Sequence, residues 1–221
     1  MSPEGTDFLY PFIEGGERDA GALLADLAAS AHAKATESAR VGTVTLERSS
    51  EALDTVAAAM AGRFRAGGRL FTFGNGGSAT DAAGAAALFT RPPWGARLPA
   101  RSLAADEAVL TALGNDVGFE LIFSRQLIAR SRAADIAFGF STSGNSPNLL
   151  HAFAEARRRG VLTVGTAGYD GGHMAACDDL DHCLVAPSDS VHRIQEAQAV
   201  LAFELWSRVQ ARLALGGGER R

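Results

Sequence analysis

The sequence predicts an α/β fold in which helices cover both faces of a parallel sheet. Three observations carry this. From Arg69 onward, short apolar runs alternate with longer segments of helical spacing. Two of those runs end in a turn rich in glycine and hydroxyl residues that opens directly into a helix: Gly74-Asn75-Gly76-Gly77-Ser78 after Leu70-Phe71-Thr72-Phe73, and Ser141-Thr142-Ser143-Gly144-Asn145-Ser146 after Ile136-Ala137-Phe138-Gly139-Phe140. At 221 residues, with 47% hydrophobic and 21% charged residues, the chain has enough apolar material for one large core and too little charge for a disordered segment.

Residues 1–16 carry Pro3, Pro11 and several glycines among Phe8, Tyr10, Phe12 and Ile13, the pattern of an extended arm with aromatic anchors. Residues 17–221 form a single domain that includes an N-terminal helical segment. Glu17 to Gly67 is Ala/Leu-rich with helical spacing, and Gly42-Thr43 predicts a break between two long helices. Strands are expected at Arg69–Gly74, Arg101–Leu103, Asp135–Ser141, Leu162–Ala167 and His182–Val185. Helices are expected at Ser78–Thr90, Asp116–Ser131, Pro147–Arg159, Gly172–Cys177 and Val191–Leu215. Ser146 before Pro147 reads as an N-cap followed by N1. Ser78 with Asp81 three residues on reads as a weaker capping box. Gly160 after Arg157-Arg158-Arg159 reads as a C′ glycine behind a basic last turn.

The formal net charge of −4 argues against a nucleic-acid surface. No apolar run approaches membrane-spanning length and no signal-like segment opens the chain, so the cytoplasm is the expected compartment. Lys34 is the sole lysine, which excludes a Walker lysine beside either loop. His173, Cys177, His182 and Cys183 carry ligand chemistry. His182 and Cys183 are neighbours on a strand and face opposite ways, so core cysteines and loop histidines are the better reading.

A turn between strand and helix points free N–H groups and a helix dipole at one spot, which favours an anion. A flavodoxin-like order, 2-1-3-4-5, would make the first and third strands neighbours and set the two loops across one crevice. Together they suggest a phosphorylated ligand held from two sides.

In this order and spacing, the two loops, the second continued by Pro147-Asn148, combine with Leu113-Gly114-Asn115-Asp116, Gly118-Phe119, Gly168-Tyr169-Asp170-Gly171-Gly172 and Arg193-Ile194-Gln195-Glu196. From about Ala57 to Leu213 the chain thereby resembles the SIS (sugar isomerase) domain family, and within it the phosphoheptose isomerases and their replication-initiator-binding relatives. The resemblance implies a three-layer α/β/α fold with a five-stranded parallel sheet, and a homotetramer. It implies that Ser141, Thr142, Ser143 and Ser146 hold a sugar phosphate. Asn75, Gly76, Gly77, Ser78, Asp106 and Gln195 would then contact the sugar.

The chain departs from the family where the family does its chemistry. In phosphoheptose isomerases a histidine and a glutamate stand four apart on the helix after the first loop, and a glutamine and a histidine eight apart on the last helix. The corresponding residues are Gly84 and Leu88, then Gln195 and Phe203. Three of these four carry neither proton-transfer nor ligand chemistry, and an amide is no base, so no metal site of the family type is expected. Catalytic candidates are therefore His192, Glu107 and Gln195. His192 precedes Arg193-Ile194-Gln195, and Glu107 follows Asp106. An exposed helix-start residue and a first-turn acid, respectively, are the plainer readings of His192 and Glu107.

Two functions follow. One is a sugar-phosphate-binding protein acting as a sensor, adaptor or assembly component, with a protein partner not identifiable from sequence. The other is a sedoheptulose 7-phosphate isomerase with a relocated base. A dinucleotide site at Gly74, Gly76 and Ala79 lacks the acidic residue expected about twenty positions on.

Overall fold

The computed structural model describes residues 20–216, so the Phe8–Ile13 arm lies outside the described residues. The chain divides into two compact units, Met1–Ala39 and Arg40–Arg221. The described part of the first unit is helical and exposes Leu23, Leu24 and Leu27.

Helix α1 runs Ala20–Arg65 without interruption, so the expected break at Gly42-Thr43 does not occur. A mid-helix glycine costs about 1 kcal/mol. Burial on either side of it outweighs that: Val41 packs with Ala186, Ile194 and Ala197, and Thr45 and Ser49 are buried one and two turns on.

The remaining elements are β1 (Leu70–Gly74), α2 (Gly77–Thr90), β2 (Ala100–Ser102), α3 (Glu107–Asp116), a 3-10 turn (Phe119–Leu121), α4 (Ile122–Arg130), β3 (Ile136–Phe140), α5 (Pro147–Arg158), β4 (Leu162–Gly168), α6 (Gly172–Ala176), β5 (His182–Ala186) and α7 (Val191–Gly216). The expected helix Asp116–Ser131 starts later than expected, as the 3-10 turn and α4, and α3 precedes it. Gly118, at φ 104, cannot continue α3, and Asp106 caps a helix that the sequence reading left out. The expected capping box at Ser78 is also absent. Gly76 is the N-cap at φ 55, a conformation that favours glycine, and Ser78 falls inside the helix. The end of α5 is as expected: Gly160 N–H bonds Arg157 C=O at 2.9 Å and Val161 N–H bonds Ala156 C=O at 3.0 Å, a Schellman ending.

All pairings in the sheet are parallel and the order is β2-β1-β3-β4-β5. Every residue of β1, β3 and β4 is buried, as a sheet covered on both faces requires. Alternation along the strands divides the core in two. Leu70, Ile136, Phe138 and Phe140 join Leu53, Met60, Phe89 and Trp206 on the face covered by α1, α2 and α7. Phe71, Phe73 and Ala137 join Phe123, Leu149 and Phe153 on the face covered by α4 and α5. No described helix is long and apolar enough to cross a membrane.

The consequence for function lies in the register. Gly74 at the end of β1 pairs with Phe140 at the end of β3. The glycine loop and the serine loop therefore leave the sheet side by side at its carboxyl edge, the topological switch point.

Candidate functional site

The glycine loop turns tightly. Ser78 N–H bonds Asn75 C=O and Ala79 N–H bonds Gly76 C=O, both at 3.0 Å. The N–H groups of Gly76 and Gly77 and the Ser78 hydroxyl take no partner among the described residues. The side chain of Asn75 is committed. Its amide exchanges two hydrogen bonds of 2.9 Å with the amide of the buried Asn148, in the first turn of α5. This reciprocal pair ties the two loops together across the crevice.

The serine loop is braced from within and from behind. Ser141 Oγ accepts from Gly144 N–H at 3.0 Å, and Ser143 Oγ from Asn145 N–H at 3.2 Å. Both hydroxyls keep their own hydrogen free to donate. Asn145 Oδ1 accepts from His173 N–H at 2.8 Å, and Gly144 C=O from Met174 N–H at 3.0 Å, so α6 supports the loop. The support needs glycines. Gly144, at φ 68, and Gly172, at φ 55, press so closely on Gly171 and on Ser143 and Asn145, respectively, that a Cβ on either would overlap them. Gly171, at φ 96, is required separately, since a Cβ there would overlap Ala175. The Thr142 and Ser146 hydroxyls have no partner among the described residues, and Ser146, although it is the N-cap of α5, makes no side-chain cap bond. The loop thus offers hydroxyls and the open N-terminus of α5 to an anion, without a cation.

Helix α7 closes the third side. Gln198, fully buried, donates from Nε2 to Ser141 C=O at 2.7 Å. One turn earlier, Gln195 lies against Gly77, its amide filling the space where a Cβ would stand, and donates from Nε2 to Asp81 Oδ2 at 3.4 Å. Gly77, Thr80, Asp81, His192, Gln195, Glu196 and Ala199 line a cleft of about 460 Å³. Burial pushes the Asp81 carboxyl above the usual aspartate value, against a smaller opposing effect from its Gln195 hydrogen bond.

The structure therefore brings together Asn75, Gly76, Gly77 and Ser78, the serine-loop residues Ser141, Thr142, Ser143 and Ser146, and Gln195. Asp106 caps α3, its Oδ1 accepting from Val109 N–H at 3.1 Å. Glu107 is an exposed first-turn acid and does not line the cleft, in line with its plainer reading. His192 is exposed on the cleft wall. Sequence reasoning took Asp81 for a capping residue, left Asn148 without a role and did not single out Gln198. The signals that point to them are Asn148 directly after Pro147 at the start of α5, and the spacing of Gln195 and Gln198 on one helical face.

The positions where the family places its ligand chemistry do not fit a metal. Gly84 is exposed with open space around it, Leu88 packs against the core, and the Phe203 ring lies 5.3 Å from Trp206. None of the three offers a donor atom. Among the described residues no group of three or more His, Cys, Asp or Glu side chains is placed to hold a metal ion. Burial, with Cys177 nearby, pushes the Cys183 thiol up to about 12, as for an inert core cysteine.

A sequence profile of the family described as SIS domain matches residues 35–168, more than half of the chain. The chain is 43% identical over 161 residues to the phosphoheptose isomerase of Solidesulfovibrio magneticus, an alignment covering 70% of this chain and 76% of that relative. It is 41% identical over 170 residues to the phosphoheptose isomerase of a Geobacter species, covering 76% and 88%. The solved structure of the phosphoheptose isomerase from Neisseria gonorrhoeae superposes with a TM-score of 0.78 at 35% identity, over 84% of this chain and 99% of that one.

Proposed function

The chain belongs to the SIS domain family, and we propose that it binds a sugar phosphate between its glycine and serine loops without the metal-dependent proton transfer of the phosphoheptose isomerases. The observation that carries this reading is a contrast within one site. The donors of the serine loop are intact and braced, whereas Gly84, Leu88 and Phe203 give the facing helices no ligand and no base. Four hydroxyls, free N–H groups and a helix N-terminus suffice for a phosphate, each charge-assisted bond contributing about 1.5–3 kcal/mol.

On this reading the protein is a cytoplasmic sensor, adaptor or assembly component. It works as a homotetramer, with room for a further protein partner. The exposed Val200 and Phe203 of α7 and the leucines of the first unit are apolar surface of the kind that such contacts cover. Titration calorimetry with sedoheptulose 7-phosphate tests the site. Binding that is indifferent to zinc and to chelator, and weakened by Ser146→Ala, is the expected result. Binding that requires zinc, or no binding at all, would contradict it.

A second reading, an isomerase with a relocated base, is favoured by one observation: His192 stands on the same cleft as the Asp81 carboxyl. Turnover of sedoheptulose 7-phosphate that disappears in His192→Ala would establish it in place of the first.

A further inference from the structure

We propose that Asp81 is the side chain with which the cleft reads the sugar: its free carboxylate oxygen accepts a hydrogen bond from a hydroxyl of the bound phosphosugar, while Gln195, seated against Gly77, holds the other oxygen in place. The inference rests on the sugar-phosphate reading above and names a specificity-determining residue within it.

The roles that would otherwise explain an acid in α2 do not apply to Asp81. It is four residues past the helix start at Gly77, beyond the first turn where an acid offsets the helix dipole. It makes no capping bond, since α2 has no side-chain cap. It makes no ion pair among the described residues. Its sole hydrogen bond among the described residues is the 3.4 Å contact from Gln195 to Oδ2, which leaves Oδ1 unused. The groups facing it are Gly77 and Thr80 on its own helix and His192, Gln195, Glu196 and Ala199 on α7, and the Glu196 carboxylate is engaged by Arg193 at 2.6 Å.

Asp81 is thus a half-buried carboxyl without a cation, and folding gains nothing from it that a neutral side chain would not supply. Its raised pKa states the same cost. The folded chain holds the Asp81 proton to higher pH than the unfolded chain does. Unfolding free energy therefore falls as pH rises from the ordinary aspartate value through the raised one, and stays lowered at neutral pH. A charge kept at a loss on the wall of a cleft is the pattern of a functional group.

The surroundings suit a polyol. The cleft, about 460 Å³, lies within the usual range for small-molecule sites. It is continuous with the phosphate loops through α7, where Gln195 touches Gly77 and Asp81 while Gln198 holds Ser141. Asp81 lies one turn before Gly84, whose missing side chain leaves the space beside it open.

Binding of two probes to the full chain separates the possibilities: sedoheptulose 7-phosphate, which has a sugar to read, and inorganic phosphate, which has none. Asp81→Asn keeps the shape and the Gln195 bond but removes the charge. It should weaken sedoheptulose 7-phosphate by about tenfold or more, leave inorganic phosphate unchanged and leave the melting temperature at pH 7 equal or higher. Asp81→Ala should give the same order of ligand effects. Equal weakening of both probes, no weakening of either, or a lower melting temperature accompanying the loss would assign Asp81 a structural role and overturn the proposal. If the parent chain bound neither probe, the phosphate site itself would be wrong, and this inference with it.

Discussion

The serine loop and the outward face of α2 flank the same crevice, yet they are built in opposite ways. Hydrogen bonds brace the loop on every side: from its own hydroxyls, from α6 through Asn145 and Gly144, from α7 through Gln198, and across the crevice through Asn148 and Asn75. The outward face of α2 is bare around Gly84, where a side chain would meet open space. A site under constraint for chemistry would be expected to show preorganised groups on both walls. Here the bracing is confined to the serine-loop wall, and the other wall holds the Asp81 carboxyl with its single hydrogen bond among the described residues, from Gln195.

The comparison is broken most severely by removing the bracing. Gly144→Ala places a Cβ against Gly171 at a positive φ. The loop would have to move, at a cost of about 1–3 kcal/mol in stability, and phosphate affinity should fall below detection; denaturant unfolding and calorimetry check the two halves. Next in size is a substitution that leaves the bracing intact. Ser146→Ala removes a hydroxyl that makes no cap bond, so it should lower phosphosugar affinity about tenfold or more with little change in melting temperature.

The bare wall can be tested by rebuilding it. The combined change Gly84→His, Leu88→Glu and Phe203→His restores to the two helices the residue types that the resemblance assigns there. It should create zinc affinity measurable by titration, and Leu88→Glu should destabilise by about 1–3 kcal/mol because it sets a carboxylate against the core. The link between the loops is a smaller effect. Asn75→Ala and Asn148→Ala should each cost about 1–2 kcal/mol, with a coupling of about 1 kcal/mol in a double-mutant cycle. Glu107→Ala should be smallest, within about 0.5 kcal/mol in stability and silent in binding.

Much of this was legible in the sequence, for identifiable reasons. The strands of a doubly covered sheet are continuous apolar runs, so β1, β3 and β4 were visible, and the glycine and serine loops interrupt those runs with residue types that few other structures require. The N-cap at Ser146 and the Schellman glycine at Gly160 are local chemistry and were readable locally. What was hidden depends on tertiary contact. Gly42 looks like a break until Val41 and Thr45 are seen to be buried. Helix α3, capped by Asp106, was not anticipated, and its stop at Gly118 leaves only the 3-10 turn and α4 within the expected Asp116–Ser131 helix. Asp81 resembled a capping residue because it is the third residue after Ser78; the true cap at Gly76 moves it one turn inside. The roles of Asn148 and Gln198 arise from partners 73 and 57 residues away, distances over which no spacing rule operates.

The most direct test of the central contrast is NMR of sedoheptulose 7-phosphate incubated with the chelated protein in D₂O. Broadening of the sugar resonances, with no deuterium beside the carbonyl and no new heptose phosphate, is the result predicted by the proposed reading, in which a phosphate site faces helices without the family's ligand residues. Deuterium incorporation or product formation under the same conditions would contradict it, and would show that the cleft moves protons without the family's residues.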